Sequence, residues 1–388
     1  MRIMICSDLA PPYIGGGESY VINLGSRLAK LGHDVHWLTA KLPNTKSYEI
    51  YQGIHIHRIP ILFSRQYLFP GRQLFPLTGL LPAIKLAKSM DILQFNTFVA
   101  GTFGWIIAKL SRKPCLLWCH ELFGKLWKKI GRNFLEREIY PYVEKYIVHS
   151  PYDWFACPSH YSKRTLIKCG APKEKITVIP HGIDSDLFHP NISGDLRKKY
   201  GLENYKLFGF TGRLAVNGTG QSKNLLMLLE ATKYVVEQLP DARLVLGGSG
   251  FEELKPFIKK LGIEKYVIYT GIRPFREVPK FYAMCDIIVG ASIAEGFGYM
   301  YAEASRCGKA VVATKAGSIP EIILHRKTGI LVSPTDSKAL AEAIIELLIY
   351  KKRAEKMGKR GAEYTKKFTW ENSVKKHLEI YEKLVYHL

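Results

Sequence analysis

The sequence predicts an α/β protein of two doubly wound domains, each a parallel sheet with helices on both faces. Three observations carry that expectation. At 388 residues the chain is too long for one ordinary core and suits two domains of roughly 150 to 200 residues each. Strand-like apolar runs alternate with helical periods, which is how βα units read in sequence. The alternation then starts afresh after the Pro-containing stretch HGIDSDLFHPNISGD.

In chain order the first series is RIMICSDL as a strand, a helix from about Glu18 to Leu31, and DVHWLTA, DILQFN and PCLLWCH as further strands. The second is KLFGFTG, a helix from about Asn224 to Gln238, then ARLVLGG, YVIYTG, DIIVGAS and AVVAT. The boundary is expected near Asp186 to Asp195, giving an amino-terminal domain over 1–190 and a second over 191–370. The helix after FTWENS, within 371–388, is long enough to pack back onto the first domain. Open parallel sheets gather ligands beyond the carboxyl ends of their strands, so two such domains facing each other across a cleft would carry function in their strand-end loops.

Composition narrows the classes. With 47% hydrophobic and 23% charged residues the chain reads as globular. The opening MRIMICSDL has no small-residue cleavage pattern behind it, which argues against a secretory signal. No apolar run approaches the roughly 18 to 20 residues of a membrane-spanning helix. A cytoplasmic protein, soluble or peripheral on the inner face of the membrane, is expected. Seven scattered cysteines read as reduced thiols. Cys115, Cys119 and His120 lie close together, but a zinc site needs a fourth ligand and none is spaced to supply it, so no metal is expected. The formal charge of +22 implies tolerance of anions: nucleic acid, an anionic membrane surface or phosphorylated ligands. The basic residues are spread over both halves without a zinc-finger, RRM or basic-zipper pattern, and nucleic acid is not expected as a partner.

Three strand-end loops carry candidate chemistry. In APPYIGGGESY, Gly15 and Gly16 let the backbone approach a ligand where a helix begins, an anion-binding outline that fits neither the dinucleotide fingerprint nor a P-loop and would also serve as a plain tight turn. In FTGRLAVNGTGQSKN, Arg213 and Lys223 sit at the mouth of a helix, where two cations and free amides could hold a diphosphate. In AEGFGYMYAEASRCGKAVVATKAGSIPEI, Glu295 precedes a helix and Glu303 lies about one turn inside it. Such carboxylates need not face each other across one bond as a glycosidase pair must. They read as acceptors for two hydroxyl-bearing parts of one ligand, with the Gly296-Phe297-Gly298 backbone donating between them. Glu303 could also simply complement the helix N-terminus.

With those residues in view the sequence resembles the GT-B glycosyltransferases of retaining family 4, over nearly the whole chain. The resemblance lies in PPYIGGGES…LGSRLAKLGHDV, CPSHYSKRTLIKCGAPKEKITVIPHGID, GRL…SKN, LVLGGSG, YTGIRP and, most specifically, EGFGYMYAEASRCGKAVVATKAGSIPEII. It implies two Rossmann-like domains. It also implies that Arg213 and Lys223 grip a nucleotide diphosphate, that Ile272, Arg273 and Glu303 contact the nucleotide, Glu303 at the ribose hydroxyls, and that Glu295 with the Phe297-Gly298 backbone holds the donor sugar. By the same resemblance Gly15 and Gly16 approach phosphates or acceptor, and His120 contacts the sugar beside the reacting carbon. The implied activity is retaining transfer from a UDP- or GDP-linked sugar to a lipid-linked or glycan acceptor. One departure stands out: nine residues separate Arg213 from Lys223 where such sequences usually have four, so this loop carries an insertion.

No cofactor is expected, because fixed cations and amides on the leaving phosphate would offset its charge. The one Asp-x-Asp, Asp184-Ser185-Asp186, falls in the expected linker. The stretch GKLWKKIGRNFLERE, 124–138, places Leu126, Trp127, Ile130 and Phe134 on roughly one helical side beside Lys128, Lys129 and Arg132. That is the pattern of a cationic helix lying on a membrane, and equally of a core-facing helix with solvated lysines. FSRQYLFPGRQLFP, 63–76, adds aromatic and basic residues without a period. A non-catalytic glycan- or lipid-binding module on the same fold, or another enzyme such as an epimerase or phosphorylase, are the competing readings.

Overall fold

The computed structural model describes residues 1–13, 15–61 and 72–386. The chain divides into two compact units: Met1–Gly124 with Ile139–Gly182 and Trp370–Leu388, and Lys125–Glu138 with Ile183–Thr369.

The first unit holds an eight-stranded sheet. Its strands are β1 (Arg2–Cys6), β2 (Asp34–Ala40), β3 (Tyr48–Tyr51), β4 (Ile54–Ile59), β5 (Ile92–Asn96), β6 (Cys115–Trp118), β7 (Trp154–Cys157) and β8 (Ile176–Val178). They lie in the order β3-β4-β2-β1-β5-β6-β7-β8. All neighbours are parallel except β3 and β4, an antiparallel hairpin at one edge. The helices are α1 (Gly16–Lys30), α2 (Arg72–Ala87), α3 (Ala100–Ser111), α5 (Tyr140–His149), α6 (His160–Lys168) and α15 (Trp370–Tyr386), with α4 (Trp127–Ile130) belonging to the second unit.

Strand alternation sorts the side chains. Met4, Leu93, Phe95, Leu117 and Cys119 pack in one cluster with residues of α2, α3 and α5. Gln94, Asn96 and Trp118 face the other way, toward α1 and α15, where Tyr20, His377 and Tyr381 meet them. The second face is also largely apolar, with Ile3, Ile5, Ile92 and Leu116 fully buried, and Gln94 and Asn96 are buried polar positions on it, each placed where it finds hydrogen-bond partners.

The second unit holds a six-stranded parallel sheet in the order β11-β10-β9-β12-β13-β14. Its strands are β9 (Lys206–Thr211), β10 (Ala242–Gly247), β11 (Val267–Tyr269), β12 (Ile287–Gly290), β13 (Ala310–Thr314) and β14 (Gly329–Val332). The remaining helices are α7 (Asp195–Lys199), α8 (Leu225–Gln238), α9 (Lys255–Leu261), α10 (Val278–Met284), α11 (Tyr299–Arg306), α12 (Ile319–Ile322), α13 (Ser337–Ile349) and α14 (Lys351–Tyr364). One face packs under α8 and α13 through Phe208, Leu244, Val289 and Val312, the other under α10 and α11 through Leu207, Val245, Ile288 and Val311. The order reverses between β9 and β12, the switch point at which loops on neighbouring strands part and leave room for a ligand.

Three expectations need correction. The division falls at Gly182/Ile183, ahead of Asp186–Asp195, because Ile183 donates its N–H to the Phe368 carbonyl and Ile183 and Phe188 are buried in the second unit's core. The 124–138 stretch is not one amphipathic helix. It is a tight turn at Gly124–Leu126, the single turn α4, an extended break at Gly131 (ψ 135°) and a wide turn at Leu135–Ile139. Trp127 and Ile130 are buried while Phe134 is 76% exposed, so the side chains expected on one face point to different surroundings. The first sheet, lastly, is mixed rather than purely parallel. The greater part of FSRQYLFPGRQLFP lies outside the described residues, which resume at the start of α2.

Candidate active site

In the second unit, β9 ends at Thr211 and Arg213 stands exposed in the loop behind it. That loop is tied to the one after β10: Gly212 N–H donates to Gly247 (2.9 Å) and Leu214 N–H to Ser249 (2.6 Å). FTGRL and GGSG therefore form one joined platform at adjacent strand ends. The insertion before Lys223 closes in a 3-10 turn, Gly218–Lys223, against which α4 packs. Gly218 sits at φ 59°, and a Cβ there would collide with the Arg132 side chain. The extra residues thus form the seat on which Lys125–Glu138 rests, which accounts for the departure in spacing.

Lys223 ends that turn with its Nζ 2.7 Å from Glu295 Oε1. The same oxygen accepts from Ser292 Oγ at 2.8 Å, and Ser292 in turn accepts from the Tyr301 hydroxyl at 2.9 Å. Backbone bonds hold the partners in register: Ile293 N–H donates to Ser222 (2.8 Å) and Ser318 N–H to Glu295 (3.0 Å), while Ser318 Oγ donates to the Phe297 carbonyl (2.8 Å). Glu295 is nearly buried and Lys223 about a third exposed, so water screens the pair only from one side. A cation and an anion held side by side can receive a ligand's phosphate and hydroxyl at once.

Gly298, at φ 89°, turns the chain into α11, whose first amides lack partners within the helix. Glu303 lies inside α11, buried, and accepts from the Tyr282 hydroxyl at 2.8 Å. Burial raises its carboxyl from 4.5 to about 8, the Tyr282 bond pulling the other way. It therefore stands largely as the neutral acid at pH 7, able both to donate to and accept from a hydroxyl. The two glutamates thus have separate partners, Lys223 and Ser292 for Glu295 and Tyr282 for Glu303. Beyond β11, Ile272 is 73% exposed. Arg273 turns inward, donating from Nη2 to the Tyr200 hydroxyl (2.8 Å) and the Thr270 carbonyl (3.3 Å).

In the first unit, Gly15 N–H donates to Glu18 Oε2 (2.8 Å) at the start of α1, and Gly16 is exposed. His120 follows β6. Its Nδ1 accepts from Trp118 Nε1 at 3.2 Å, which places the ring proton on Nε2. That nitrogen faces the first turn of α1, where a Cβ on Gly17 would lie 3.6 Å from it. Burial lowers His120 to about 4, so the ring is neutral and presents Nε2–H as a donor. Around it Tyr20 stacks on Trp118 (4.3 Å between centroids), His181 lies 5.0 Å from Tyr20, and His377 Nε2 is 2.7 Å from the Tyr20 hydroxyl.

Ser292, Tyr301, Tyr282, Tyr20, His181 and His377 are site residues that the sequence reading did not single out. Ser292 closes DIIVGAS and His181 sits in VIPHGID, so both lay within quoted motifs. His377 gave no signal, because it meets Tyr20 across 357 residues. Cys115 and Cys119 belong to the cluster under α2 and α3, on the sheet face opposite Trp118 and its partner His120, so alternation separates the three candidate ligands. Among the described residues no three His, Cys, Asp or Glu side chains converge as a metal requires. Asp184 Oδ1 caps its own turn, accepting from Asp186 (3.1 Å) and Leu187 (3.3 Å) N–H.

Comparison with known proteins matches the two halves to two family models, "Glycosyltransferase Family 4" over 14–187 and "Glycosyl transferases group 1" over 193–364. The chain belongs to the GT-B glycosyltransferases of family 4. It is 33% identical over 214 residues to a GDP-mannose-dependent alpha-(1-6)-phosphatidylinositol monomannoside mannosyltransferase of Mycolicibacterium smegmatis, a match covering 52% of this chain and 55% of that protein. It is 25% identical over 375 residues to an N-acetyl-alpha-D-glucosaminyl L-malate synthase of Bacillus anthracis, covering 95% and 94%. Its fold is that of a sucrose-phosphate synthase from Thermosynechococcus elongatus (TM-score 0.86, 23% identity, all of both chains) and of an Anabaena protein in complex with UDP-glucose (TM-score 0.81, 21% identity, 99% and 100%). This glycosyltransferase is therefore an enzyme of the glycosyl-transferring class. No described helix is long and apolar enough to cross a membrane.

Proposed function

We propose that this glycosyltransferase moves a sugar, with retention of configuration and without a metal, from a nucleoside diphosphate sugar to a lipid-linked or glycan acceptor. The observation that carries the reading is the Lys223–Glu295 pair joining the loops behind β9 and β12 at the switch point, with Arg213 exposed in the first of those loops. When the bond from the anomeric carbon to the diphosphate oxygen breaks, its electron pair goes to phosphate, and Arg213 and Lys223 offset the charge that appears there. Glu295, held by Ser292, accepts from hydroxyls of the donor sugar, with the Phe297–Gly298 backbone beside it. Glu303 pairs with the ribose diol, and Ile272 with Arg273 borders the base. The acceptor oxygen attacks from the face the diphosphate leaves, and the departing phosphate oxygen takes its proton, so charge and proton balance within the substrates. His120 offers its Nε2–H to a sugar hydroxyl, and Gly15 and Gly16 admit phosphate or acceptor at the start of α1. The names of the relatives, one GDP-mannose-dependent and acting on a phosphatidylinositol mannoside, support the class of donor and acceptor.

The test is a thermal-shift screen of UDP- and GDP-linked sugars against the intact protein, followed by transfer assays with the stabilising donor. At a hundred times the dissociation constant a ligand bound to the native state adds about 2.7 kcal/mol, a readily measured shift. Stabilisation by one nucleotide sugar, lost in Glu303→Ala, supports the reading. No shift with any nucleotide sugar or free diphosphate would sink it.

A further inference from the structure

The outer surface of α2, α3 and α5 combines three properties that rarely coincide. It is apolar: Leu77 and Leu81 on α2 are 72% and 77% exposed, and Leu110 on α3 is 57% exposed. It is aromatic: Tyr142 and Tyr146 on α5 are exposed, and Tyr146 takes a hydrogen bond from Trp105 on α3 at 3.1 Å. And its charge is of one sign. Residues 72–87 and 100–111 contain no Asp or Glu, and the one acid of α5, Glu144, is buried and spent on the N–H groups of Phe123 and Gly124. Lys85, Lys88, Lys109 and Lys145 are all exposed.

Helical spacing explains why these groups share one surface. On α2 the positions that enter the core are Phe75, Ala83 and Ala87, so Leu77, Leu81, Lys85 and Lys88 recur at intervals of four and three on the opposite side. On α3, Phe103 and Ile107 face inward, which turns Lys109 and Leu110 outward, while Trp105 is half-buried and reaches Tyr146 with its indole N–H. On α5, Ile147 and Val148 face inward and Tyr142, Lys145 and Tyr146 outward. The helices are neighbours: Phe75 and Phe103 meet edge to face at 5.7 Å, and the Trp105–Tyr146 bond joins α3 to α5. An apolar patch rimmed by cations, on three helices that carry no exposed carboxylate, marks a surface that meets a partner rather than bulk water, and its single sign of charge favours an anionic one. Leucines that insert shallowly, tyrosine and tryptophan at headgroup depth and lysines reaching for phosphates are the requirements of an anionic bilayer surface.

We infer that the α2–α3–α5 face of the first unit docks this glycosyltransferase on anionic lipid. The inference extends the proposed acceptor class to a location. Its test uses vesicles holding neither donor nor acceptor, so its failure is distinguishable from failure of the transfer reading. The full chain is sedimented with phosphatidylcholine vesicles and with vesicles of phosphatidylcholine and phosphatidylglycerol. The expected result is binding to the mixed vesicles only. The lipid concentration for half-binding should rise about tenfold or more in Leu77→Glu/Leu81→Glu and in Lys85→Glu/Lys109→Glu/Lys145→Glu, as removal of several surface cations or apolar anchors implies. Two controls match the charge change elsewhere: Lys351→Glu/Lys352→Glu/Lys359→Glu on α14, and Lys128→Glu/Lys129→Glu/Arg132→Glu in the second unit. If the control triples weaken binding as much as the face triple, net charge of +22 or the 125–138 segment holds the lipid and the inference is overturned. It is equally overturned if wild type ignores anionic vesicles, or if Leu77→Glu/Leu81→Glu leaves binding intact. Sedimentation velocity without lipid is the second readout: a dimer that the leucine variant dissolves would make the face a contact between copies and overturn the membrane assignment. Unchanged thermal unfolding of the variants, expected for exposed positions, keeps each outcome decisive.

Discussion

In the first unit the buried polar groups at the strand ends are neutral imidazoles set among rings, His120, His181 and His377 around Tyr20 and Trp118. In the second they are ionic or ionisable, Lys223 on Glu295 and Glu303 under Tyr282. Both sets lie beyond the carboxyl ends of parallel strands, yet the chains around them solve different electrostatic problems. Buried imidazoles are driven neutral by desolvation, and become rigid donors and acceptors that suit an uncharged, hydroxyl-rich partner. A lysine about a third exposed, held against a nearly buried carboxylate, suits a phosphate. The division of labour between sugar or acceptor on one side and nucleotide diphosphate on the other is the proposed consequence.

The largest effect should come from breaking the ionic side. Arg213→Ala and Lys223→Ala are each expected to lower transfer about a hundred- to a thousandfold, the loss typical of a single contact to charge that develops only in the transition state. His120→Ala should also lower transfer, but should leave affinity for the free nucleoside diphosphate unchanged, while Lys223→Ala weakens it. Transfer rates paired with calorimetric nucleotide titrations read both. Activity of a folded Arg213→Ala protein within about threefold of wild type would remove Arg213 from the leaving phosphate. If Lys223→Ala alone is silent, the inserted turn delivers its lysine only to Glu295.

A second, smaller effect sharpens the comparison through pH. His120 and His377 fall from 6.5 to about 4 on burial, so their folded values lie below their unfolded ones. What they contribute is whole above pH 6.5 and is lost as pH falls through 4. Glu303 runs the opposite way, raised from 4.5 to about 8, so its contribution is whole below pH 4.5 and is lost as pH rises through 8. Thermal unfolding midpoints should therefore decline toward both ends. Glu303→Gln should gain on wild type steadily from pH 4.5 to 8 and leave the acid limb unaltered. Parallel curves for the two proteins would show that Glu303 is not held as the neutral acid.

Much of this was legible because it is local. Strands and glycine-bearing loops announce themselves over five to ten residues, and RIMICSDL, KLFGFTG and DIIVGAS all fall on strands, β1, β9 and β12. Arg213, Lys223, Glu295 and Glu303 stand in such loops or just inside the helices that follow. What escaped depends on contacts between distant segments. β3 and β4 were missed because YEIY and IHIHRI are short and half polar, and they pair only as a hairpin at the sheet edge. The 124–138 stretch misled because apolar spacing alone does not reveal that Gly131 is extended or that Arg132 lies on Gly218. His377 was invisible because its partner Tyr20 is at the other end of the chain.

The last expectation is the smallest effect of all, none, on removing metal. Arg213 and Lys223 supply fixed positive charge at the strand ends where the leaving phosphate is proposed to sit. A divalent ion there would have to displace Lys223 from Glu295, and the one Asp-x-Asp is engaged elsewhere, with Asp184 capping its own turn through two backbone N–H groups. Transfer in excess EDTA should match transfer in magnesium. Activity that EDTA abolishes and magnesium or manganese restores would mean that the ionic side of the comparison is incomplete as built from protein groups. Glu295→Gln and Asp184→Asn would then locate the metal: loss of the magnesium response in the first would place it at the β12 loop, and loss in the second at the turn where Asp184 stands.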